Sequence, residues 1–432
     1  MTEQNGNTAQ YDSWIGDESE FAALVFRQSL MPVEGMDAVF FPPTYPMDGG
    51  AGYNIDRFDD GTSVCQIDSV GSQANRMEPI FSREPYARLV PQVIIQAEGR
   101  EINLVEAGHR AADAIVRFST LGPQLHEAFE AYRKDGNAMP LARIAPTSLV
   151  FGAWDSRATQ VKLPRIVRAV VRAYNVKVLT RSAQYTTIAG EILTAGEAEV
   201  TTRGPKAELG LAHVPAVRTH GGVRLEPNGE IRREAIVNLT ALRALGGPTN
   251  DKTDETLVLR RYILGLALVS ITSPMKPSLR EGCELVPVPD KGATWELVKH
   301  DGTRSACTIT HEEALDFATS AAAELKVESK TLRGTFNPKL VNKVLNLSED
   351  DRKRLLRAGP VTEEAIEELT KSGQKSDLSK KSIKELKAEC KKLGLPTDGT
   401  EDELIQRLRA AQAASSATAE NGAGNGNDIG QQ

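Results

Sequence analysis

The sequence contains few aromatic residues and few cysteines for its length. Only 22 of its 432 residues are aromatic, and no strand-like segment is rich in them. This argues against the base-stacking sheet of an ordinary RNA-recognition-motif (RRM) protein. The four cysteines, Cys65, Cys283, Cys307 and Cys390, are far apart and form no CxxC pair. We therefore expect reduced cysteines in a cytoplasmic protein.

Segments that would direct the chain to a membrane are also missing. Residues 1–20 are polar and acidic, and no basic start precedes an apolar run. We therefore expect no signal peptide there, but a disordered leader. The most apolar stretch, residues 262–271, is too short to cross a bilayer and follows two arginines. It is better interpreted as a buried helix.

Motifs of common enzymes are absent from the sequence. There is no phosphate-binding Walker loop, no GxSxG elbow and no HExxH pair. We expect a protein without catalytic activity, cofactor or metal. An endoribonuclease remains an alternative, with Asp155 as the acid nearest the basic segment described below, and His213 and His220 in a long loop region.

Length and composition indicate an ordinary globular chain of more than one unit. A length of 432 residues exceeds what a single core usually supports, and 40% hydrophobic with 25% charged residues is typical of globular proteins. The mixed order of strand-like and helix-like segments predicts an α+β fold. We divide the chain into a leader (1–20), a main domain (21–345), a charged helical linker (346–377), a compact helical module (378–411) and a disordered tail (412–432).

Hydrophobic periodicity predicts elements within the main domain. Strands are expected at residues 62–70, 92–97 and 147–151, and helical structure at 104–135, broken at Gly122-Pro123. Two long stretches rich in glycine and proline, 41–61 and 202–229, are expected to be loops, which at this length are usually functional or disordered. The sequence contains no internal repeat.

One segment is strongly basic although the net charge of the chain is −6. Residues 156–190 contain seven basic residues and no acidic one, so the remainder carries −13, which is −6 minus +7. The basic residues are Arg157, Lys162, Arg165, Arg168, Arg172, Lys177 and Arg181. The absence of acids over this length favours an anionic partner.

From Pro164 the pattern predicts a helix with three arginines on one face. Arg165, Arg168 and Arg172 fall at positions i, i+3 and i+7, with apolar residues opposite. Such a row suits phosphates, because guanidinium groups bind their oxygens in a bidentate manner. The alternative is a solvated helix face that is paired with acids from elsewhere in the chain.

Two further polar regions are candidates for binding. The cluster Ser72-Gln73-Ala74-Asn75-Arg76 follows a predicted strand and could open a helix facing a phosphate, or could be a simple capped helix start. The region 203–233 is also basic and includes Arg218 and His220. It is consistent with a projecting basic hairpin or with a mobile surface loop.

The C-terminal module at 378–411 resembles the SAP motif, a helix–turn–helix unit that binds DNA in many proteins. The pattern predicts a helix capped by Ser379 or Ser382 and ended by Gly394, and a second helix beginning after Thr400. Its apolar stripe is expected at Ile383, Leu386, Cys390 and Leu393. The basic residues available for DNA are Lys384, Lys387, Lys391 and Arg407. The acidic run 401–403 departs from the motif and weakens the DNA assignment.

Several longer segments carry a resemblance to a known family. They are DSVGSQANRMEP (68–79), AGHRAADAIVRFS (107–119), PTSLVFGAWDSRATQVKLPRIVRAVVRAYNV (146–176), GLAHVPA (210–216), GGV (221–223) and IRREAIVNLTALRAL (231–245). Over residues 20–340 the chain resembles the type I-U (also called I-G) CRISPR-associated RAMP protein. That family supplies the Cas-seven-type backbone subunit of a Cascade surveillance complex.

The resemblance implies a fold, a function and partners. The fold is a modified RRM-like (ferredoxin-like) RAMP palm with finger and thumb insertions, to which the SAP-like module is appended. Several copies are expected to assemble head to tail along one CRISPR guide RNA and present it to target DNA. The implied protein partners are a large Cascade subunit, a fused Cas-five/Cas-six-type subunit and a helicase–nuclease.

The resemblance also implies residue roles. Gln73, Asn75 and Arg76 are expected near the guide backbone, and the region 213–223, with Arg218 and His220, is the candidate thumb. The positive groove is expected to be lined by Arg157, Lys162, Arg165, Arg168 and Arg172. Besides the ribonuclease, a SAP-bearing chromosomal DNA-binding protein unrelated to CRISPR remains an alternative.

Overall fold

The protein consists of two compact units. The computed structural model describes residues 10–48, 50–194, 198–247, 254–327, 331–378, 381–408 and 410–411. One unit is Met1–Asn337 and the other is Pro338–Gln432. The first contains sheets and helices, whereas the described residues of the second are helical or irregular. The boundary therefore lies eight residues before the position 345 expected from the sequence.

Strands make up most of the framework of the first unit. They are β1 (Phe21–Pro32), β2 (Val39–Phe40), β3 (Thr44–Met47), β4 (Gly50–Tyr53), β5 (Ile55–Arg57), β6 (Ser63–Asp68), β7 (Gln92–Ala97), β8 (Arg100–Asn103), β9 (Val167–Tyr185), β10 (Val214–Asn238), β11 (Ser278–Arg280), β12 (Cys283–Pro287), β13 (Thr294–Lys299), β14 (Arg304–Cys307) and β15 (Thr331–Thr335). The strands expected at 62–70 and 92–97 are confirmed as β6 and β7.

Helices of the first unit lie mainly between β6 and β9 and after β10. They are α1 (residues 10–15), α2 (Val70–Met77), α3 (Ala114–Arg117), α4 (Gly122–Asp135), α5 (Met139–Ile144), α6 (Pro146–Phe151), α7 (Ile188–Thr194), α8 (Pro205–Glu208), α9 (Leu239–Arg243), α10 (Asp254–Thr272) and α11 (His311–Glu324). Short 3₁₀ turns occur at Glu78–Ser82, Ala87–Leu89, Leu104–Glu106 and Arg110–Ala112. The expected break at Gly122-Pro123 is the start of α4.

The main sheet is antiparallel, with β1 near its centre. The strand order is β11-β12-β1-β10-β9-β6-β5, and β13 also pairs with β1 and with β14. β1 pairs with β10 along Ala23–Leu30 and with β13 along Phe21–Arg27. A smaller sheet has the order β15-β7-β8, and β3 pairs with β4. The α+β class predicted from the sequence is confirmed at this level.

One face of the main sheet is covered by helices and the other is open. Along β9 the odd-numbered residues from 167 to 173 are buried, whereas on the other face, from 168 to 172, Arg168 is exposed, Arg172 is half-buried and only Val170 is buried. This alternation is typical of an antiparallel sheet with one solvated face. On the covered side, α10 is buried along almost its whole length, which confirms the buried helix expected at 262–271. No helix among the described residues is long and apolar enough to cross a membrane.

Two sequence-based expectations near the start and middle of the unit are wrong. Residues 10–15 are helical, and Tyr11, Trp14 and Ile15 are at most 3% exposed in the main core, so this part of the expected leader is ordered. Residues 1–9 lie outside the described residues. The strand expected at 147–151 is instead the buried helix α6, because a short apolar run does not distinguish a strand from a buried helix.

The helix expected from Pro164 is also wrong, because these residues enter β9. The strand carries five valines, and β-branched side chains favour the pleated, half-buried surface of a sheet. Arg168 and Arg172 are four residues apart, a spacing that places them on one face of either a helix or a strand. Arg165 precedes the strand and is not part of its alternation.

The second unit is a set of short helices. They are α12 (Pro338–Leu345), α13 (Glu349–Ala358), α14 (Glu363–Leu378), α15 (Ile383–Lys392) and α16 (residues 401–408). α15 and α16 enclose a small core of Leu386, Cys390, Leu404, Ile405 and Leu408. The tail expected at 412–432 lies outside the described residues. All four cysteines of the chain are free, as expected.

Candidate nucleic-acid interface

A loop between α6 and β9 holds the first basic side chains at defined positions. It begins at Gly152, whose φ of 77° favours glycine because side chains rarely adopt this left-handed conformation. The two sides of the loop are paired: the Leu163 amide donates to the Ala153 carbonyl at 2.8 Å, and the Asp155 amide donates to the Val161 carbonyl at 2.9 Å. Ala153, Val161 and Leu163 are buried, so the loop has a small apolar side of its own. We call residues 152–166 the cationic loop.

The carboxylate of Asp155 organises this loop from within. The residue is 4% exposed. Its Oδ2 accepts hydrogen bonds from the Thr159 amide at 2.9 Å and the Thr159 hydroxyl at 2.8 Å, and its Oδ1 accepts one from Arg117 at 2.9 Å. Burial alone would raise the pKa of Asp155, but the hydrogen bonds from Thr159 and the charge of Arg117 lower it below its usual range. This ionised, fully engaged group does not suit the catalytic acid that a ribonuclease would need.

The basic side chains of the loop and of the start of β9 face solvent. Arg157, Lys162, Arg165 and Arg168 are exposed. Within the described part of the chain, Arg157, Arg165 and Arg168 have no hydrogen-bond or ion-pair partner. The Lys162 ammonium lies 5.9 Å from the centroid of the Trp154 ring. Pairing with acids from elsewhere, the alternative left open by the sequence, is therefore not the arrangement of these three arginines.

Arg172 differs because it belongs to a row of ion pairs across the open face of the sheet. Its Nη1 lies 3.7 Å from Glu234 Oε2, and Arg27 Nε lies 3.9 Å from Glu234 Oε1. Arg27 also pairs with Glu296 at 2.5 Å, and Glu296 pairs with Arg304 at 3.2 Å. Three arginines and two glutamates thus alternate over five strands, β9, β10, β1, β13 and β14. This row largely neutralises itself and leaves the unpaired charge on the cationic loop and Arg168.

The predicted phosphate site at the start of α2 is mostly internal. Gln73 is 1% exposed; its side chain donates to Asp68 Oδ2 at 2.6 Å and accepts from Arg233 Nε at 3.3 Å. Arg76 Nε donates to the same Asp68 oxygen at 3.0 Å. Asn75 and Arg76 are exposed, but Gln73 is not accessible to a ligand. The role of Gln73 near an RNA backbone stays a prediction, and the structure shows that its amide is part of a buried polar network.

Arg233 is the cation at the centre of that network. It is 3% exposed and donates to the Ile271 carbonyl at 3.0 Å, and no carboxylate lies among its hydrogen-bond acceptors. Burial lowers its pKa to about 10. The Ile271 carbonyl belongs to the last turn of α10, where the helix dipole favours a positive charge. Arg233 therefore fastens α10 and α2 to the sheet.

The long loop expected at 202–229 is largely a strand. Residues from Val214 onward belong to β10, which pairs with β9 from Val167↔Val237 to Tyr185↔Val214. The pairing is interrupted by three register shifts, and strands of this length form an extended hairpin. At its far end Tyr185, Ile188, Ile192, Leu193 and Leu209 are all at least 61% exposed. The hairpin interpretation of this region thus agrees with the structure better than the mobile loop.

The histidines of the hairpin occupy different environments. His213 is 8% exposed and its Nδ1 accepts a hydrogen bond from the Thr187 amide at 3.2 Å. His220 is exposed, with its ring centroid 5.2 Å from that of Tyr53. The side chain of Arg218 lies outside the described residues. Among the described residues, neither histidine forms a hydrogen bond or an ion pair with Asp155.

The C-terminal module has the helix–turn–helix geometry that the sequence predicts. Ser382 caps α15 in a capping box with Glu385, and Gly394 has a φ of 69° at its end. Ile383 and Leu393 are exposed, so these two members of the expected apolar stripe lie outside the core.

The basic residues of this module divide into two groups. Lys384, Lys387 and Lys391 are exposed on α15. Arg407 instead donates to the carbonyl oxygen of Pro396 at 3.1 Å and also binds Asp398. Arg407 therefore stabilises the turn between the two helices. It is a weaker candidate for binding DNA than the three lysines.

One residue of the interface was missed by the sequence analysis. Trp154 is 61% exposed in the middle of the cationic loop. Its position between buried Ala153 and buried Asp155 is an alternation that points it outward, but the segment is too short to be recognised without the structure. The scarcity of aromatic residues could have directed attention to it, because Trp154 is the one tryptophan that adjoins the basic segment.

Two family models match parts of the chain. The model of the CRISPR-associated protein GSU0053 matches residues 24–178, a range that includes the whole cationic loop. The SAP domain model matches residues 377–413. These findings support a CRISPR-associated protein with a C-terminal SAP domain, and they confirm the SAP resemblance predicted from the sequence. No curated protein matches the chain.

Proposed function

We propose that this chain is the Cas-seven-type backbone subunit of a type I-U (I-G) CRISPR Cascade complex. Several copies bind head to tail along one guide RNA and present it to target DNA, without catalysing a reaction. The observation that carries the proposal is the exposed, unpaired charge of Arg157, Arg165 and Arg168 beside Lys162. All four residues lie within the segment that is similar to CRISPR-associated proteins.

The chemistry of the cationic loop suits an RNA backbone rather than a particular sequence. Guanidinium groups bind phosphate oxygens without distinguishing the bases. In RNA-guided complexes the sequence is recognised by base pairing, whereas the protein recognises charge and backbone shape. Because Asp155 fixes the loop, the cations are positioned before RNA binds, which reduces the entropy lost on binding.

The order of the long strands supports a ferredoxin-like RAMP palm. β13, β1, β10 and β9 are neighbours in that order, and each pair is antiparallel. Helices connect β6 to β9 and β10 to β13 on the covered side. This is the arrangement expected of a βαββαβ sheet in which β9 and β10 are the hairpin strands. The far end of that hairpin is the proposed thumb, and β2–β5 are candidates for an inserted finger.

The SAP domain adds a proposed second contact. Its three exposed lysines on α15 suit DNA phosphates, and we propose that they hold target duplex or displaced single-stranded DNA near the complex. The other proposed partners are a large Cascade subunit, a fused Cas-five/Cas-six-type subunit and a helicase–nuclease. They rest on the family resemblance alone.

Co-expression with a CRISPR array tests the proposal directly. The full-length protein is purified, its mass is measured by multi-angle light scattering, and its nucleic acid is extracted and sized. We expect several copies on one protected RNA of guide length. A nucleic-acid-free monomer would overturn the proposal and favour a chromosomal SAP protein, whereas guide RNA cut by the protein alone would favour the ribonuclease.

Charge reversal then tests whether the cationic loop is the RNA interface. In the triple variant R157E/R165E/R168E we expect loss of co-purified RNA. In titrations with single-stranded RNA, losing three phosphate contacts reduces the slope of log K against log salt by roughly 2.

A second triple variant is the matched control. Arg88, Arg100 and Arg143 are also exposed and have no partner among the described residues, so R88E/R100E/R143E changes the net charge equally. RNA binding that falls equally in both triple variants would show a general charge effect and would remove the cationic loop from the interface.

A further inference from the structure

The indole of Trp154 is unlike those of the other two tryptophans. Trp14 and Trp295 are 1% and 5% exposed, whereas Trp154 is 61% exposed. A single exposed apolar side chain is ordinary on a protein surface. Trp154 is unusual because the exposed Lys162 ammonium lies 5.9 Å from the centroid of its ring, and Arg157 and Arg165 are exposed on the same loop. Such surroundings are poorly suited to an apolar protein contact.

The cationic loop also holds this ring in place. Trp154 forms an antiparallel bridge with Lys162, and its two sequence neighbours are fixed by backbone hydrogen bonds, Ala153 with Leu163 and Asp155 with Val161. Gly152 is held from behind by the buried Arg110, whose Nη1 donates to the Gly152 carbonyl at 3.3 Å. The backbone that carries the Trp154 ring is therefore held by hydrogen bonds on both sides.

A flat apolar ring among cations matches one kind of ligand. A nucleobase in a single strand has an apolar face and is flanked by two phosphates, and stacking on an aromatic side chain tolerates any base. Bases within a duplex present only their edges, because their faces are covered by neighbouring bases. Exposed Arg157, Lys162 and Arg165 lie on the same loop as the ring, and their charge suits the flanking phosphates.

We propose that Trp154 stacks on an unpaired base of the bound RNA while the cations of the loop hold the adjacent phosphates. This inference rests on the proposed function and deepens it, since it gives the subunit a contact with a base as well as with the backbone. The contact lies on a loop and not on the open face of the sheet, where the self-neutralised row of ion pairs lies. It is a sequence-tolerant contact and so is compatible with any guide.

Tryptophan fluorescence of the full-length protein tests the stacking. The protein is titrated with a 12-nucleotide single-stranded RNA and, separately, with the same RNA annealed to its complement. We expect the single strand to quench the exposed tryptophan and the duplex to quench it much less. In W154F the remaining fluorescence from Trp14 and Trp295 should not respond to RNA, because both are buried.

Affinity measurements by anisotropy complete the test. We expect W154A to weaken binding of the single strand by roughly 5- to 100-fold, the range for loss of one base–aromatic stack, and W154F to stay within about threefold because it retains an aromatic ring. The control F58A removes another exposed aromatic, Phe58 at 53% exposure, and should bind as the wild type does.

The outcomes separate this inference from the proposed function. If wild-type protein binds the RNA with no quenching, and W154A binds as tightly as wild type, the stacking is wrong while the backbone role stands. If R157E/R165E/R168E and wild type both fail to bind RNA, the proposed function is wrong as well. Since quenching is measured on the wild-type protein, the inference can be overturned even if W154A does not fold.

Discussion

The side chain of Asp155 determines whether the cationic loop keeps its shape. Its two oxygens bind Thr159 and Arg117 at distances of 2.8–2.9 Å, and these bonds replace the water that burial removes. Without the carboxylate, Arg117 would be left as a buried charge with one partner fewer. The turn that carries Arg157 would then lose its anchor.

We predict that D155A lowers the free energy of unfolding by about 3 kcal/mol, as breaking a buried ion pair does. It should also weaken RNA binding although no positive charge is lost. Urea denaturation and RNA titration check both effects. The matched control is D59A, which removes an exposed aspartate and should change stability by less than about 0.5 kcal/mol. Unchanged stability in D155A would mean that the loop is held by other contacts.

The stabilisation from Asp155 has a defined pH dependence. Because the folded-state pKa of Asp155 is lowered, the carboxylate stabilises the fold fully above the pKa of an unfolded aspartate, about 4. This contribution is lost as the pH falls through the lowered folded pKa. The difference in unfolding free energy between wild type and D155N should therefore shrink below about pH 4. A difference that stays constant from pH 7 to pH 2 would contradict this assignment.

At the residue scale, the sequence predicts which arginines are exposed better than it predicts which residues form ion pairs. The absence of acids over residues 156–190 correctly indicates that Arg157, Arg165 and Arg168 lack local partners. It does not reveal that Glu234 pairs with Arg172, because that partner is distant in sequence and is brought close only by the pairing of β9 with β10. The burial of Gln73 is hidden for the same reason, since it depends on Arg233.

At the element scale, strands with a clear apolar alternation can be predicted from the sequence. Elements whose residue spacing fits both a helix and a strand cannot. The apolar alternation of residues 62–70 and 92–97 predicts β6 and β7. The sequence pattern predicts a helix where β9 lies, because arginines four residues apart fit either period, and the strand is determined by its pairing with β10 and β6. That pairing joins residues 29 (Tyr185 and Val214) to 110 (Val64 and Tyr174) positions apart, and local periodicity does not contain such contacts.

The contact between α10 and α11 leads to a prediction about glycine. An added Cβ at Gly265 would lie 2.7 Å from the Ala318 Cα, so the two helix backbones would have to move apart. We expect G265A to lower the free energy of unfolding by about 1–3 kcal/mol, the usual cost of overpacking a core. Thermal or urea denaturation provides the measurement.

A helical glycine without this constraint is the control. At Gly71 in α2 the nearest heavy atom to an added Cβ is the Ser69 Oγ, at 4.0 Å. G71A should therefore raise stability by about 0.5 kcal/mol, since alanine is the better helix former. Stabilisation in both variants would show that α10 and α11 can separate at little cost.

At the scale of the whole molecule, the roles proposed for the main unit and for the SAP domain can be tested separately. We predict that deleting residues 378–432 leaves co-purified guide RNA unchanged but weakens binding of duplex DNA to the RNA-loaded protein, because Lys384, Lys387 and Lys391 are removed. Electrophoretic mobility shifts at two salt concentrations measure this. Replacing the three lysines by glutamate should have the same effect with the module intact. Unchanged DNA affinity in both variants would assign the SAP domain to another partner.

The strand order of the main sheet cannot be predicted from the sequence pattern, whereas the mixed order of strand-like and helix-like segments indicates the α+β class. Strand order depends on contacts between distant segments, such as β1 with β13, and local pattern gives no register for them. The resemblance to a RAMP protein implies a ferredoxin-like palm, which local propensity alone does not indicate. The helix–turn–helix of the second unit is easier to predict from the sequence, because its contacts join residues that are close in sequence.

The central position of β1 has a consequence during synthesis. β1 ends at residue 32, but its partners in β10 and β13 begin at residues 231 and 294. At about 5–20 residues per second, the ribosome needs roughly 10–40 s to make the first of them. Until then the nascent strand exposes an apolar edge that can pair with other chains. Faster elongation through this interval should raise the yield of folded protein, and slower elongation should raise the need for chaperones.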